Sequence, residues 1–414
     1  MFNRPTGRRV AHRSLLAALV VFVPLWESPA RAEEAPPKSV SLDEALKAAT
    51  LLPDLKAAEA ALRAAEAGVK SAGRWPDMSF TFATRSITAK EAYFLSVPLP
   101  WPGRGARIDV AKAQASIVGT DREAARLMAR RALRLAWFNV AAREDMAKAA
   151  ADRAARVKAT SDAVATLYEA GRVAQLELSR ARADAAIAAA DVNQAEQEHQ
   201  IAESVLRRLL GMEASQRIQV ERPLPAFEVA PDLETASAAA FARSPAAKSA
   251  EARVLSAEAA VRLASALRFP GIAVEAGVDT NDPTQPGSDR SFGVSLSVPI
   301  GAGPALDIAR GERDRALALR DLAKREIADA VEQAWRIADA ARARYETLEK
   351  DALPAAQQSA DLAQVAYREG RSDIFRVLDA ERALAEARAG LAEAYLAWGV
   401  AHADLLNAIG EDLQ

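Results

Sequence analysis

The stretch LYEAGRVAQLELSRARA, residues 167–183, has a partner in AYREGRSDIFRVLDAERA, residues 366–383. Tyr168 aligns with Tyr367, Gly171 with Gly370, Arg172 with Arg371 and Ala181 with Ala380, each 199 positions apart. In both copies an Ala-rich helical run stops at Gly, the residue best suited to the left-handed end of a helix. A second helical run begins at once. Each copy reads as a helical hairpin with a tight tip. A period of this length is too long for a solenoid of short units, so the chain is expected to be two related halves.

Working outward from the first tip, residues 104–168 hold no helix breaker except Gly105 and Gly119. They predict a long helix of about 97 Å at 1.5 Å per residue. The return helix is expected over 173–210, ended by Gly211. Upstream, the period changes to two. Met78, Phe80 and Phe82 share one face against Ser79 and Thr81, and Tyr93, Leu95 and Val97 alternate with Phe94 and Ser96 before Pro98. Residues 78–98 therefore read as a β-hairpin. Before it, Ser41-Leu-Asp-Glu44 is a capping box, and a helix runs from Pro53 to Gly73, with Trp75-Pro76 closing it.

The second half repeats this order. Asp232 opens a short helix, and Ser244-Pro245 is an N-cap with Pro at the first helical position. Ile272, Val274, Ala276 and Val278 alternate with small or polar residues, as do Phe292, Val294 and Leu296, predicting a hairpin over 271–299. A long helix is expected over 306–367, with a kink or local break at Pro354. Trp335 falls near the place of Trp137, and a return helix spans 372–409 before Gly410. The halves are residues 33–222 and 223–414, joined through Pro223, Pro225 and Pro231. Residues 217–232 read as irregular.

Residues 1–32 have the pattern of an export signal: Arg4, Arg8, Arg9 and Arg13, a short apolar run from Leu15 to Trp26, and Ala30-Arg31-Ala32 before Glu33. Removing them takes away five Arg and one Glu, leaving 49 basic and 55 acidic side chains and a net charge of −6. That balance argues against nucleic acid as a partner. Cysteine is absent, which excludes disulfides, thiolate metal sites and cysteine nucleophiles. His199 and His402 lie on separate helices, and Gly301-Ala-Gly303-Pro304 lacks the third glycine of a dinucleotide loop and reads as a turn. The carboxylates read mostly as solvated helix faces with Arg at i+3 or i+4. No catalytic constellation, metal site or cofactor site is expected, and no enzymatic activity.

Each return helix and the helix before the strands together match the long helix in length. Stacked end to end, they make each half two strands of continuous helix about 90–100 Å long. The fold class is mostly α with a small β part. The β segments have the length of tilted transmembrane strands, with one apolar face. Four strands cannot close a barrel alone, and an open edge in lipid leaves backbone groups unpaired. Three chains would supply twelve.

With this duplicated order, the strand ends Val97-Pro98-Leu99 and Val298-Pro299-Ile300, the tips YEAGRV and YREGRS, and Val377-Leu-Asp-Ala380, the mature chain resembles the TolC family of outer-membrane efflux ducts. The segment Pro98-Leu-Pro-Trp-Pro-Gly-Arg-Gly-Ala-Arg107 is similar to its CzcC-like heavy-metal branch. The resemblance implies a homotrimer with a 12-stranded barrel in outer-membrane lipid and a helical tunnel in the periplasm. Its implied partners are a periplasmic adaptor protein and an inner-membrane efflux pump, with heavy-metal cations as cargo. It also implies a gate at the tips. Asp379 falls on one position of an acidic constriction, while Arg376 departs from the family at the other. Three symmetry-related Arg near three Asp could then form intersubunit pairs. Glu177 and Tyr367 fall on latch partners, and Ser372 stands where a basic residue is expected. Gly171, Arg172, Val173, Gly370, Arg371 and Ser372 are the implied adaptor contacts. The alternative is a periplasmic adaptor or helical-hairpin scaffold of an export system, which would be soluble.

Overall fold

The computed structural model describes residues 38–85, 90–100, 103–221, 232–280, 287–300 and 303–410. The described residues belong to one unit. The expected export signal lies outside the described residues.

Helices dominate. After β1 (Lys38–Val40), Ser41 caps α1 (Leu42–Lys47), its hydroxyl accepting from the Glu44 backbone N–H at 3.1 Å. A 3-10 turn leads to α2 (Pro53–Ala72), which begins with Pro at its first position, where the missing N–H costs nothing. Strands β2 (Ser79–Arg85) and β3 (Lys90–Pro98) follow, then α3 (Arg104–Glu169), the return helix α4 (Gln175–Leu209) and β4 (Ile218–Val220).

The second half has α5 (Leu233–Arg243), α6 (Pro245–Ala266), β5 (Gly271–Thr280) and β6 (Asp289–Ser297). Asp232 caps α5 through the Thr235 N–H, and Ser244 caps α6 through the Ala246 N–H. The long helix begins earlier than expected, as α7 (Gly303–Thr347), so Gly303 and Pro304 are its first residues rather than part of a turn. A π-turn, Leu348–Ala352, then separates α7 from α8 (Leu353–Arg368). There the Leu353 N–H donates to the Leu348 carbonyl, and Pro354 follows. Proline has no N–H for the Lys350 carbonyl and its ring crowds that oxygen, so the wider turn relieves the conflict. The return helix α9 (Ile374–Ile409) ends at Gly410. Among the described residues, no helix is long and apolar enough to cross a membrane.

The four longer strands make one antiparallel sheet in the order β2-β3-β5-β6, so the two hairpins pair through β3 and β5. Register puts Phe80, Leu95, Ala276 and Phe292 in one cross-strand row. Val97, Val274 and Val294 form another on the same face, because side chains alternate along each strand. Thr81, Gly277 and Ser291 line the opposite face with Ser79, Ser96 and Glu275, and Phe94 is its aromatic exception. Phe80, Phe292, Val294 and Leu296 are more than 60 % exposed in the single chain. Among the described residues, strands β2 and β6 have no partner on their outer sides.

One sheet escaped the sequence reading. Residues 38–40 pair in parallel with residues 218–220, which were expected to be irregular, as β1 and β4, from Lys38 opposite Ile218 to Val40 opposite Val220. Three residues are too short for a period of two to register, and the pairing spans about half the chain. This pair covers the main core, which holds Trp137, Phe138, Val140, Leu206 and Tyr395. The Trp137 indole N–H donates to the Val40 carbonyl at 3.0 Å, and the Phe138 ring meets Trp137 and Tyr395 edge-on. Burying each large side chain contributes about 1.5–3 kcal/mol. Trp335 packs at the border of a separate cluster with Ala236, Val331 and Leu405.

Candidate functional site at the paired helical tips

Both hairpins turn by the same backbone device. At the first tip the Gly171 N–H donates to the Tyr168 carbonyl (2.9 Å) and the Arg172 N–H to the Leu167 carbonyl (2.8 Å). At the second, the Gly370 N–H reaches Tyr367 and the Arg371 N–H reaches Ala366, each at 2.9 Å. This is the Schellman arrangement, and it requires a left-handed residue. Gly171 has φ 68° and Gly370 φ 71°. The recurring Gly is thus explained by cap geometry alone.

The tips lie against one another. Val157, Val164, Leu178, Ala181, Ile374, Val377 and Leu378 form one buried cluster between the hairpins, with Val173, Tyr367 and Phe375 at its border. The Arg180 guanidinium sits 5.5 Å above the Phe375 ring. At the seam is an open cleft of about 1000 Å³. Of the sequence-predicted site residues, it brings together Arg172, Val173, Glu177, Tyr367, Gly370, Arg371, Ser372 and Arg376. Gly171 and Asp379 lie outside it. Asp379 is exposed three residues after Arg376, so both charges share one face of α9.

Electrostatics distinguish these residues. The Tyr367 hydroxyl is buried without a hydrogen-bond partner. Burial first, and the Glu177 carboxylate second, hold its pKa above the usual phenol value. Glu177 and Tyr367 are therefore neighbours without being bonded to each other. Arg371 pairs with Glu369 on the tip surface. Asp373 caps α9, accepting from the Arg376 backbone N–H at 3.1 Å, whereas Ala174 at the corresponding place on α4 has no side chain to do so.

Two carboxylates depart from the expectation that these groups are mostly solvated. Glu381 is 1 % exposed and Asp184 5 %. Glu381 accepts from the Gln364 amide at 2.6 Å and is in ion-pair contact with Arg156 at 2.8 Å. Asp184 meets Arg382 at 3.4 Å and Arg180 at 3.8 Å. Arg388 donates to Asp152 at 2.8 Å and to the Gln357 side-chain amide oxygen, Oε1, at 3.0 Å. Arg156–Glu381, Arg382–Asp184 and Arg388–Asp152 join the two hairpins across 198 to 236 residues of sequence. Local charge spacing gives no signal for such pairs. Pairs at i+3 and i+4 also occur, as in Glu332–Arg336 at 2.8 Å.

Among the described residues, no three His, Asp or Glu side chains converge as a metal site. The geometry offers a membrane-suited sheet at one end, long helices, and two charged tips at the other.

The profile of the family described as "Outer membrane efflux protein" matches residues 46–212 and 236–411. The chain belongs to that family. An outer membrane efflux protein sits in the outer membrane with its helical part in the periplasm, and the family reading displaces the soluble adaptor alternative. Solved channels share the fold. CusC superposes with a TM-score of 0.76 at 18 % identity, covering 90 % of this chain and 92 % of its own. CmeC, the outer membrane channel of Campylobacter jejuni, gives 0.75 at 16 % identity, covering 89 % and 85 %. The outer-membrane channel OprN gives 0.74 at 23 % identity, covering 89 % of each chain. No curated protein sequence matches this efflux protein.

Proposed function

We propose that this efflux protein is the passive exit duct of a tripartite export system. Three chains close their sheets into a twelve-stranded barrel, and the helices continue it as a periplasmic tunnel. The reading rests on one observation. The four-stranded sheet has an apolar face and two unpartnered edges, and it is continuous with a helix, α3, of 66 residues, or about 100 Å. Lipid tolerates such a sheet only when its edges are closed.

The tips are the far end of the tunnel. Arg172, Val173, Arg371 and Ser372, with Gly171 and Gly370 shaping the turns, contact a periplasmic adaptor, which couples the duct to an inner-membrane pump. Arg376 and Asp379 line the closed end, and Glu177 and Tyr367 belong to the latch between hairpins. Heavy-metal cations are the proposed cargo, on the similarity of residues 98–107 to the heavy-metal branch. No group in the duct needs to transform what passes, so no enzymatic role is proposed.

Planar-bilayer recording of the purified protein tests this. Rings of charge set ion preference in a narrow pore. Asp379→Ala should lower cation preference and Arg376→Ala should raise it. Equal selectivity in both variants would remove these residues from the constriction. A protein that forms no channel would overturn the duct itself.

A further inference from the structure

Arginine precedes the aromatic–proline pair that follows the helix before each β-hairpin. The two copies are Arg74-Trp75-Pro76 after α2 and Arg268-Phe269-Pro270 after α6, 194 positions apart. The backbone repeats as well: the Arg74 N–H donates to the Ser71 carbonyl at 3.0 Å and the Arg268 N–H to the Ser265 carbonyl at 3.3 Å. Ending a helix needs the proline alone. It requires neither the ring nor the guanidinium. Yet Trp75 and Phe269 are each 60 % exposed, and Arg74 and Arg268 are exposed beside them. Arg262 on the same helix α6 pairs with Asp109 at 3.6 Å, whereas among the described residues neither Arg74 nor Arg268 has an ion pair.

The start of α3 gathers both helix ends. The Arg104 guanidinium donates to the Gly73 carbonyl at 3.0 and 2.8 Å, and a Cβ at Gly103 would lie 3.6 Å from the Leu267 side chain. Both Arg–aromatic pairs border the sheet, because β2 begins at Ser79 and β5 at Gly271. The helical part of the protein is periplasmic, so this helix-joined end of the sheet faces the inner leaflet of the outer membrane. Exposed aromatic rings at the edge of an apolar band sit at headgroup level. Lys70 lies in the last turn of α2, and Asp77 is the one carboxylate in the sequence between these arginines and the strands that follow them. The border is therefore apolar and basic together.

We propose that Arg74–Trp75 and Arg268–Phe269 are two phospholipid sites on each chain, selective for an anionic headgroup. Each guanidinium holds the lipid phosphate by charge-assisted hydrogen bonds, and the ring beside it lies at the glycerol level. Any phospholipid offers that phosphate. A zwitterionic headgroup also brings an ammonium group, which the arginines repel, so the preference is for a lipid such as phosphatidylglycerol. The proposal rests on the reading that the apolar sheet face meets lipid; it does not depend on how the tips open or on what the duct carries.

The test uses the full-length protein in phosphatidylcholine vesicles that carry a trace of acyl-chain spin-labelled phosphatidylglycerol or phosphatidylcholine. Electron spin resonance measures how much of each label the protein immobilises. The parent should immobilise phosphatidylglycerol over phosphatidylcholine by about fivefold, the factor expected for an arginine near a charged membrane surface. Arg74→Gln with Arg268→Gln should bring the ratio close to one, and Arg74→Lys with Arg268→Lys should keep most of it. Lys158→Gln with Arg182→Gln removes the same charge towards the tips and should leave the ratio at the parental value. No preference in the parent, a preference that survives the Arg→Gln pair, or an equal loss in the tip-side pair would overturn the sites. Should the Arg→Gln chain not fold, raising sodium chloride on the parent should erase its preference, because salt screens exposed charges; a preference indifferent to salt would overturn the sites. Vesicle flotation separates the readings. A parent chain that does not float overturns the lipid-facing sheet and the sites together, whereas one that floats and immobilises both lipids equally loses the sites and keeps the sheet.

Discussion

The return helices α4 and α9 stop at glycines 199 positions apart, Gly211 and Gly410, and the two stops meet different surroundings. Gly211 has φ 67°, and a Cβ there would meet nothing within 4 Å. Gly410 has φ 76°, and a Cβ would lie 2.8 Å from Ser244 backbone atoms. After Gly211 the chain continues into β4, which pairs with β1 over Trp137. Gly410 instead seats the end of α9 against the junction of α5 and α6. Duplication supplied the helix stop; packing between the halves has given each stop a different use.

The largest expected effect tests this difference directly. Gly410→Ala combines left-handed strain of about 1–2 kcal/mol with overpacking of about 1–3 kcal/mol. Gly211→Ala has only the strain. Denaturant unfolding in detergent should rank Gly410→Ala as clearly the less stable, and equal losses would remove the contact with Ser244 from the account.

The next effect is set by pH. Glu203 on α4 corresponds to His402 on α9 at the same 199-residue spacing. Glu203 pairs with Arg207 at 3.5 Å, whereas burial, then the Arg134 charge, lowers the His402 pKa from 6.5 to about 4. The unfolded chain therefore binds a proton at higher pH than the folded one. Stability should fall as pH drops from about 6.5 towards 4 and level off below it. His402→Leu should flatten that part of the thermal-melting profile, and an unchanged profile would exclude His402 as its source.

The smallest effect concerns helix starts at the tips. Asp373 caps α9 and Ala174 leaves α4 uncapped. Asp373→Ala should cost about 1 kcal/mol and Ala174→Asp should gain a comparable amount. Amide exchange in the first turn of each helix should change in opposite directions.

These contrasts also divide what could be read from the chain from what could not. The helices, their stops and the alternating strands were legible because each depends on neighbours a few residues apart: Ser41 on Glu44, Pro53 and Pro245 on the first turn, Gly171 on Tyr168. The break near Pro354 was legible for the same reason, although its form as a π-turn was not. The tip residues were legible largely through their resemblance to a family, and the cleft gathers most of them. Arg156–Glu381, Arg382–Asp184 and the Trp137–Val40 hydrogen bond were hidden. Each joins segments far apart in sequence, and an Arg or Asp on a helix looks the same whether it faces water or another helix.

The sheet has a consequence for the journey of the chain before it reaches its membrane. Phe80, Phe292, Val294 and Leu296 present an apolar face, and β2 and β6 leave their outer backbone groups unpaired. In water, such a surface is a template for pairing with any other strand. In lipid, one chain alone would have the same edges unsatisfied. A single copy is therefore at home in neither solvent. In the proposed trimer each edge is closed by another copy, so the yield of inserted protein should depend on how many copies meet rather than on the stability of one.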